Sequence, residues 1–146
     1  EATRAKILPF IVRWATWRAG KFSGDTVMAF YAQVMAMREA TVKATHGFDF
    51  VITPTSPIPA FEAEYCCPDN DPERALEHIA FTVPYNMSEQ PAASINWSYS
   101  TQKRTVGLPI GVQVAGRRFD DLGVLQLSRV IEQIRPVQRP WPVHIG

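Results

Sequence analysis

The clearest pattern of apolar and polar positions predicts a long amphipathic helix between Ser23 and Gly47. Ser23 is suited to be its N-cap because a serine hydroxyl can accept a hydrogen bond from an otherwise unpaired backbone N–H. Gly47 is typical of a C-terminal stop. We expect the apolar face of this helix to pack in a core rather than line a ligand site. That face carries Val27, Phe30, Tyr31, Val34, Met37 and Thr41.

Three further segments have helical patterns. The first runs from Pro9 to Gly20, with proline in the first turn and glycine at the end. The second is a short helix from Pro72 to about Ala80, since Asp71 is an N-cap type followed by proline. The third begins after Asp120 and continues to about Ile134, before Pro136 ends it. Its apolar positions are Leu122, Leu125, Val130 and Ile134.

Short apolar runs predict strands at 48–53, 92–97 and 110–116. The last run is apolar except for Gln113, which indicates burial on both faces. Strands that alternate with helices are typical of the α/β class, here with about three strands and four helices. Because strands buried on both faces need neighbours and helical cover, we expect this chain to be part of a larger sheet. Residues 60–71 are predicted to be a loop.

Length and charge narrow the functional classes. The 146 residues suit a single domain, and the hydrophobic content of 46% is that of a globular protein. The formal net charge of +1 argues against a nucleic-acid binder or a polybasic membrane anchor. No apolar stretch approaches the roughly 20 residues of a membrane helix. We therefore expect neither nucleic acid nor membrane as a partner.

The cysteines indicate a reducing compartment. Cys66 and Cys67 are adjacent, so an ordinary disulfide between them would strain the backbone severely. Two thiols are also too few for a tetrahedral zinc site. We interpret them as free thiols of a cytoplasmic protein, and the sequence calls for no metal or cofactor.

A polar cluster interrupts the apolar stretch from Thr82 to Trp97. Asn86, Ser88 and Gln90 place amide and hydroxyl groups close together, either in a plain turn or in a loop that faces a cleft at a strand end. These two interpretations are equally supported by the residues alone. Gln113 needs partners inside its strand, and we expect it to bridge loops of the scaffold rather than contact substrate.

No residue is predicted to be catalytic. Ser100 and Lys103 match S-x-x-K, and Tyr99 with Lys103 matches Y-x-x-x-K, but both patterns are short. They also fall in a polar connection between two strands rather than on a helix, where this spacing would bring the side chains together. The histidines stand alone in sequence, and we expect helix-end or solvent-facing positions for them.

Several segments together resemble the C-terminal part of the amidase signature family. They are FDFVITPTSPIPAF, FTVPYNMSEQPAASIN, VGLPIGVQVAGRRFDD and a late WP. The resemblance implies a large α/β/α enzyme with a mixed sheet that hydrolyses amide bonds. It further implies a serine nucleophile, a second serine and a lysine base, all in a segment that this sequence does not contain. No catalytic residue carries over, and the fragment alone is expected to be inactive.

What carries over is scaffold and substrate pocket. By resemblance, Thr55 follows a strand near the cleft, a loop with Asn86, Ser88 and Gln90 borders the pocket, and Gln113 lies on the later strand. The resemblance thus implies that these five residues line the pocket of a small-molecule amide in the parent enzyme, whereas burial alone favours a scaffold position for Gln113.

Three departures from the family pattern bear on this pocket. Glu89 replaces the usual glycine, which costs strain if that position needs a positive φ. Asn96 stands where a Pro-x-Gly usually begins. Ile79 replaces the acidic residue usual in glutamine-using amidotransferase subunits, which favours a less polar amide. Such a subunit therefore remains the weaker alternative, beside a non-catalytic module that assembles, with a partner chain or with a second copy, through an exposed sheet edge.

Overall fold

The computed structural model describes residues 20–65 and 67–140. The predicted first helix lies outside these residues except for Gly20, as do Cys66 and the tail after Pro140. Within them the order of elements is α1, β1, α2, β2, β3 and α3. The helices are α1 (Gly24–Thr45), α2 (Val83–Ser88) and α3 (Asp121–Ile134), and the strands are β1 (Phe50–Pro54), β2 (Ala92–Tyr99) and β3 (Pro109–Gly116).

The three strands form one sheet in the order β1-β3-β2. Both pairings are antiparallel, with Gln113 opposite Thr53 on one side and Ser94 on the other. The α/β class is confirmed, although the expected mixed sheet is represented in the described residues by antiparallel pairs alone. Val114 is 0% exposed and Ala115 is 1% exposed, so both faces of the central strand are buried as predicted.

The core lies between the sheet and α3. Val114 and Ile95 from the sheet pack against Val124 and Ile131 from the helix. Both sheet residues are apolar and point to the same face, which is the pattern of a sheet covered by one helix. Partly buried residues around this cluster are Phe50, Ala93, Trp97 and Leu127.

Helix α3 begins and ends where the sequence predicts. Asp120 Oδ1 accepts a hydrogen bond from Gly123 N at 3.1 Å, so the aspartate caps the helix. The four apolar positions named from the sequence are nevertheless exposed, at 67%, 63%, 49% and 69% for Leu122, Leu125, Val130 and Ile134. The helix carries a second apolar face, formed by its core residues, and that face covers the sheet.

The predicted burial of the α1 face is wrong within the described residues. The Ser23 cap is confirmed, since its Oγ accepts from Thr26 N at 3.2 Å. No residue of α1 is buried, however, and Val27, Phe30 and Tyr31 are 53%, 45% and 63% exposed. The cause is geometric: α1 packs chiefly against the short α2, which covers only part of a helix of 22 residues.

The segment from Pro72 to Ala80 is not the regular helix predicted. It consists of two 3₁₀ turns, Pro72–Arg74 and Glu77–Ile79. Asp71 Oδ1 accepts from Glu73 N at 2.9 Å, which favours a tight local turn over an α-helical start. Just before it, Cys67 is buried, and its Sγ donates to Asp71 O at 3.3 Å. No described helix is long and apolar enough to cross a membrane.

We predict that Val114→Ala lowers the free energy of unfolding by about 2 kcal/mol, because it removes two buried methyl groups and leaves a cavity. Val106→Ala is the matched control, since Val106 is 64% exposed and should change stability by less than about 0.5 kcal/mol. Urea denaturation of the two purified variants measures both. Equal effects of the two substitutions would contradict the assignment of Val114 to the core.

Candidate functional site

A cavity of about 670 Å³ lies where the end of β1 and the start of β3 meet the segment that follows β1. Its wall combines a proline-rich stretch, the last 3₁₀ turn and the pleats of β2 and β3. The lining residues are Thr55, Ser56, Pro57, Ile58, Pro59, Ala60, Phe61, His78, Ile79, Thr82, Ser94, Asn96, Gln102, Pro109, Ile110 and Gly111.

Two hydroxyl groups meet at one side of this cavity. Thr55 Oγ1 and Ser94 Oγ are 2.6 Å apart and form a hydrogen bond. Gly111 lies between their strands, and a Cβ atom there would stand 2.6 Å from Thr55 Oγ1 and 2.9 Å from Ser94 Oγ. Glycine is therefore required at position 111 for the two hydroxyls to approach the backbone of β3.

Two polar atoms of the cavity wall lack a partner among the described residues. They are His78 Nδ1 and Asn96 Oδ1, both inaccessible to solvent in the folded chain. The His78 ring packs edge-on against Phe61, with 5.5 Å between the ring centroids, and Asn96 Nδ2 donates to Tyr99 Oη at 3.2 Å. Because buried polar atoms normally have partners, these two are unsatisfied groups behind the surface of the cavity wall.

Among the described residues that line this cavity, none has a carboxylate, ammonium or guanidinium group. Its apolar part is formed by Ile58, Phe61, Ile79 and Ile110. A ligand that enters this space meets neutral hydrogen-bonding groups on one side and hydrocarbon on the other.

The polar cluster after Thr82 is a short helix and its cap, rather than the plain turn or the cleft-facing loop that the sequence left open. Asn86 and Ser88 lie on α2. The Ser88 hydroxyl donates to Gln90 Oε1 at 2.8 Å, and Gln90 Nε2 donates to Gly116 O at 2.8 Å and Thr45 Oγ1 at 3.2 Å. The two buried side chains thus join α1, α2 and the end of β3.

Gln113 has the bridging position that we expected from its burial. Its Nε2 donates to Thr53 Oγ1 and to Phe81 O, each at 3.0 Å, and so ties the central strand to β1 and to the segment before α2. Asn86 is exposed. Of the five residues predicted to line a pocket, Thr55 lines the large cavity and the other four lie outside its wall.

Glu89 replaces the glycine that is usual at this position in the family, and its φ is positive, the case in which we expected a conformational cost. Its backbone is left-handed, with φ 59° and ψ 33°, and its N–H donates to Tyr85 O to close α2. The carboxylate accepts two hydrogen bonds from Arg38, at 3.0 and 2.9 Å, and another from Arg118. These charge-assisted contacts offset part of the conformational cost.

Ser100 and Lys103 do not form a catalytic pair. The segment is irregular, as predicted, and Ser100 Oγ hydrogen-bonds Thr105 Oγ1 at 2.7 Å. It also accepts from Gln102 N at 3.2 Å, so the hydroxyl stabilises a turn. In the part of the chain that the structure describes, no group of three or more His, Cys, Asp and Glu side chains is arranged to hold a metal.

A family model described as Amidase matches residues 1–125. The chain belongs to the Amidase family. The resemblance drawn from the sequence segments is therefore confirmed, and the cavity can be considered as a part of an amidase fold.

Curated relatives of this amidase-family chain are the A subunits of glutamyl-tRNA(Gln) amidotransferases. The one from Thermodesulfovibrio yellowstonii is 36% identical over 101 residues, which are 69% of this chain and 20% of that protein. The one from Granulibacter bethesdensis is 34% identical over 127 residues, 81% of this chain and 24% of that protein. The chain thus spans about a fifth to a quarter of the length of these relatives.

Two solved structures have the same fold over most of the chain. The A subunit of the Thermotoga maritima glutamyl-tRNA(Gln) amidotransferase has a TM-score of 0.66 and 29% identity. It is matched over 88% of this chain and 28% of its own. The 6-aminohexanoate cyclic dimer hydrolase has a TM-score of 0.65 and 26% identity, matched over 88% of this chain and 29% of its own.

Sequence reasoning missed Ser94 and His78 as members of the cavity wall. Ser94 sits in an apolar strand, and the sequence pattern places His78 alone in a short helix. The strand alternation gave one usable signal, because Ser94 and Asn96 are two residues apart and must share a face of β2. Nothing in the local pattern brings His78 to that face.

We predict that Glu89→Gln lowers the free energy of unfolding by about 1 kcal/mol, because it removes the charge shared by Arg38 and Arg118 but keeps the left-handed backbone. Glu89→Gly should have a smaller effect, since the loss of contacts is offset by relief of the conformational cost of about 1 kcal/mol. Urea denaturation measures both.

The matched control for these two variants is Glu132→Gln. Glu132 forms a single exposed ion pair with Arg129 at 3.7 Å, and we expect a negligible change in stability. If Glu89→Gly destabilises the protein more than Glu89→Gln does, the left-handed backbone at this position carries no cost and our account of the cluster is wrong.

Proposed function

We propose that this chain is the C-terminal part of an amidase that hydrolyses a carbon–nitrogen bond through an acyl-serine intermediate. The residues that line the 670 Å³ cavity form one wall of its substrate site. Family membership and the short span relative to its relatives support this assignment. The serine nucleophile, second serine and lysine base belong to a part of the fold outside this sequence. The cytoplasm is the proposed location, in keeping with a sequence whose two cysteines, Cys66 and Cys67, are adjacent and cannot form an ordinary disulfide with each other.

The observation that carries the substrate class is the uncharged cavity wall. Free glutamine has an ammonium and a carboxylate group, and burying either one without an opposite charge is costly. The described residues that line this cavity provide no charged side chain to pair with either group. An amide with an apolar substituent fits better, since Ile79, Ile110 and Phe61 would cover the hydrocarbon while neutral groups hold the amide.

In this arrangement the cavity residues bind and orient the substrate. The Thr55–Ser94 pair would supply a hydroxyl proton for the carbonyl oxygen of the amide. The apolar wall excludes water from the side of the bond that faces it. Such positioning contributes to hydrolysis by holding the amide in a fixed geometry beside the nucleophile.

The names of the curated relatives favour an alternative, the A subunit of a glutamine-dependent amidotransferase. This alternative requires glutamine to bind in the same cavity. Ile79 and the uncharged lining count against it, because they give the charged ends of glutamine no partner.

We predict that the full-length gene product containing this chain hydrolyses an aliphatic amide such as hexanamide faster than it hydrolyses glutamine. Ile110→Ala should lower kcat/KM for hexanamide roughly tenfold, because it removes apolar contact with the substrate. Ile52→Ala is the matched control, since Ile52 is 58% exposed on β1 and lies outside the cavity wall.

Ammonia release measures both activities. Efficient glutaminase activity that supports transfer to a glutamate-charged tRNA, without hexanamide hydrolysis, would replace the leading assignment by the amidotransferase. The 146-residue chain alone should release no ammonia. Hydrolysis by this chain alone, lost on Ser100→Ala, would contradict the assignment of the catalytic residues to another part of the fold.

We propose assembly through a sheet edge as the second function, of a different class. Side chains that follow α3 cover part of the β2 edge, because Arg135 donates to Asn96 O and Gln138 donates to Trp97 O. At the other edge of the described sheet, Ile52 of β1 is 58% exposed. An exposed strand edge can pair with a strand of a second copy.

Light scattering after size exclusion tests this second function. If β1 pairs between copies, the 146-residue chain is a dimer, and Ile52→Lys converts it to a monomer because an edge lysine opposes strand pairing. Val106→Lys, at an exposed loop position, should leave the dimer intact. If the unsubstituted 146-residue chain is a monomer at high concentration, this mode of assembly is ruled out.

A further inference from the structure

A second cavity, of about 490 Å³, lies beside the first one. Asn96 and Pro109 line both, so the two spaces are separated by the same short stretch of β2 and β3. The floor of the second cavity is formed by the connection that enters β3, and its roof by the segment that follows α3. Tyr99, Gly107, Arg135 and Arg139 also line it.

Among the described residues that line this second cavity there are two guanidinium groups and no carboxylate. Arg135 and Arg139 line it, and neither has an acidic partner among the described residues. By contrast, Arg38, Arg117 and Arg118 each form an ion pair with an acidic side chain. Two positive charges directed into one concave space raise the local potential for an anion.

Both guanidinium groups are held in position by contacts that leave donors free. Arg135 Nη1 donates to Asn96 O at 3.0 Å, and Arg139 Nη1 donates to Gly107 O at 3.3 Å. The Arg139 guanidinium also stacks over the Tyr99 ring, 4.5 Å from its centroid. Since an arginine has five N–H donors, each group keeps donors for a ligand while its side chain is already ordered.

Gly107 allows this arrangement. Its φ is +82°, and a Cβ atom there would stand 2.7 Å from Arg139 Nη1. Any larger residue would push the guanidinium away from the wall and strain the backbone. The position of Arg139 is therefore determined by the strand connection as well as by the tyrosine.

We propose that this second cavity is a binding site for an oxyanion, the carboxylate or phosphate group of a small molecule. The planar guanidinium fork matches the paired oxygens of either group, and two forks in one cavity suit an anion that bridges them. The site is distinct from the substrate wall proposed above, although Asn96 and Pro109 line both cavities. Its ligand contacts neither the Thr55–Ser94 pair nor the apolar wall of the first cavity.

Isothermal titration calorimetry on the full-length gene product tests the site, at fixed ionic strength, with inorganic phosphate and with acetate as separate probes. We expect saturable binding of at least one probe. Arg139→Gln should weaken it roughly tenfold, because one set of charge-assisted hydrogen bonds is lost. Arg129→Gln, which removes the same charge from the exposed face of α3, is the control and should bind as the parent does.

The two probes distinguish the ligand sources. Binding of phosphate alone assigns a phosphate-bearing ligand, binding of acetate alone assigns a carboxylate, and binding of both supports the shared oxyanion chemistry. Arg135→Gln should also weaken anion binding. Because Arg135 donates to Asn96 O, an unchanged circular dichroism spectrum is needed to show that this variant keeps the fold. Absence of saturable binding, or equal weakening by Arg129→Gln and Arg139→Gln, would overturn the proposal whether or not the protein hydrolyses amides.

Discussion

The central strand β3 is the constraint on which the rest of the described structure depends. It pairs with β1 on one side and β2 on the other, and its residues Gln113 to Gly116 are buried. Val114 anchors α3 through the core, while Gln113 ties the sheet to the segment before α2. Residues at the beginning of the same strand line both cavities, so the position of this strand determines part of the wall of each.

Much of this fold is readable from local sequence because its signals are local. Ser23 and Asp120 cap helices with hydrogen bonds that span three residues, so both partners of each bond lie within one short segment. The three strands were also predicted from local sequence, because a short apolar run marks each of them. The apolar stripe of α1 led to a wrong prediction of burial, because periodicity shows which face of a helix can be buried but not whether another element packs against it.

The candidate site was less predictable because distance in the chain separates its parts. Thr55 was expected at the pocket from the resemblance to the amidase signature family, whereas Ser94 and His78 reach the cavity only through tertiary packing. Ser88 and Gln90 were recognised as special, but their hydrogen bonds serve the scaffold. Amide and hydroxyl side chains suit a ligand and a buried junction equally well, so residue type alone does not distinguish these roles.

The left-handed Glu89 has a consequence for how this sequence can change. Its carboxylate binds Arg38 of α1 and Arg118 beyond β3, so three positions distant in sequence share one interaction. Substitutions at them should be non-additive. A change to glycine at 89 removes the need for both arginines, whereas loss of an arginine first leaves a strained glutamate with one partner. The order of substitution therefore matters, and the cluster restricts the mutational paths open to this chain.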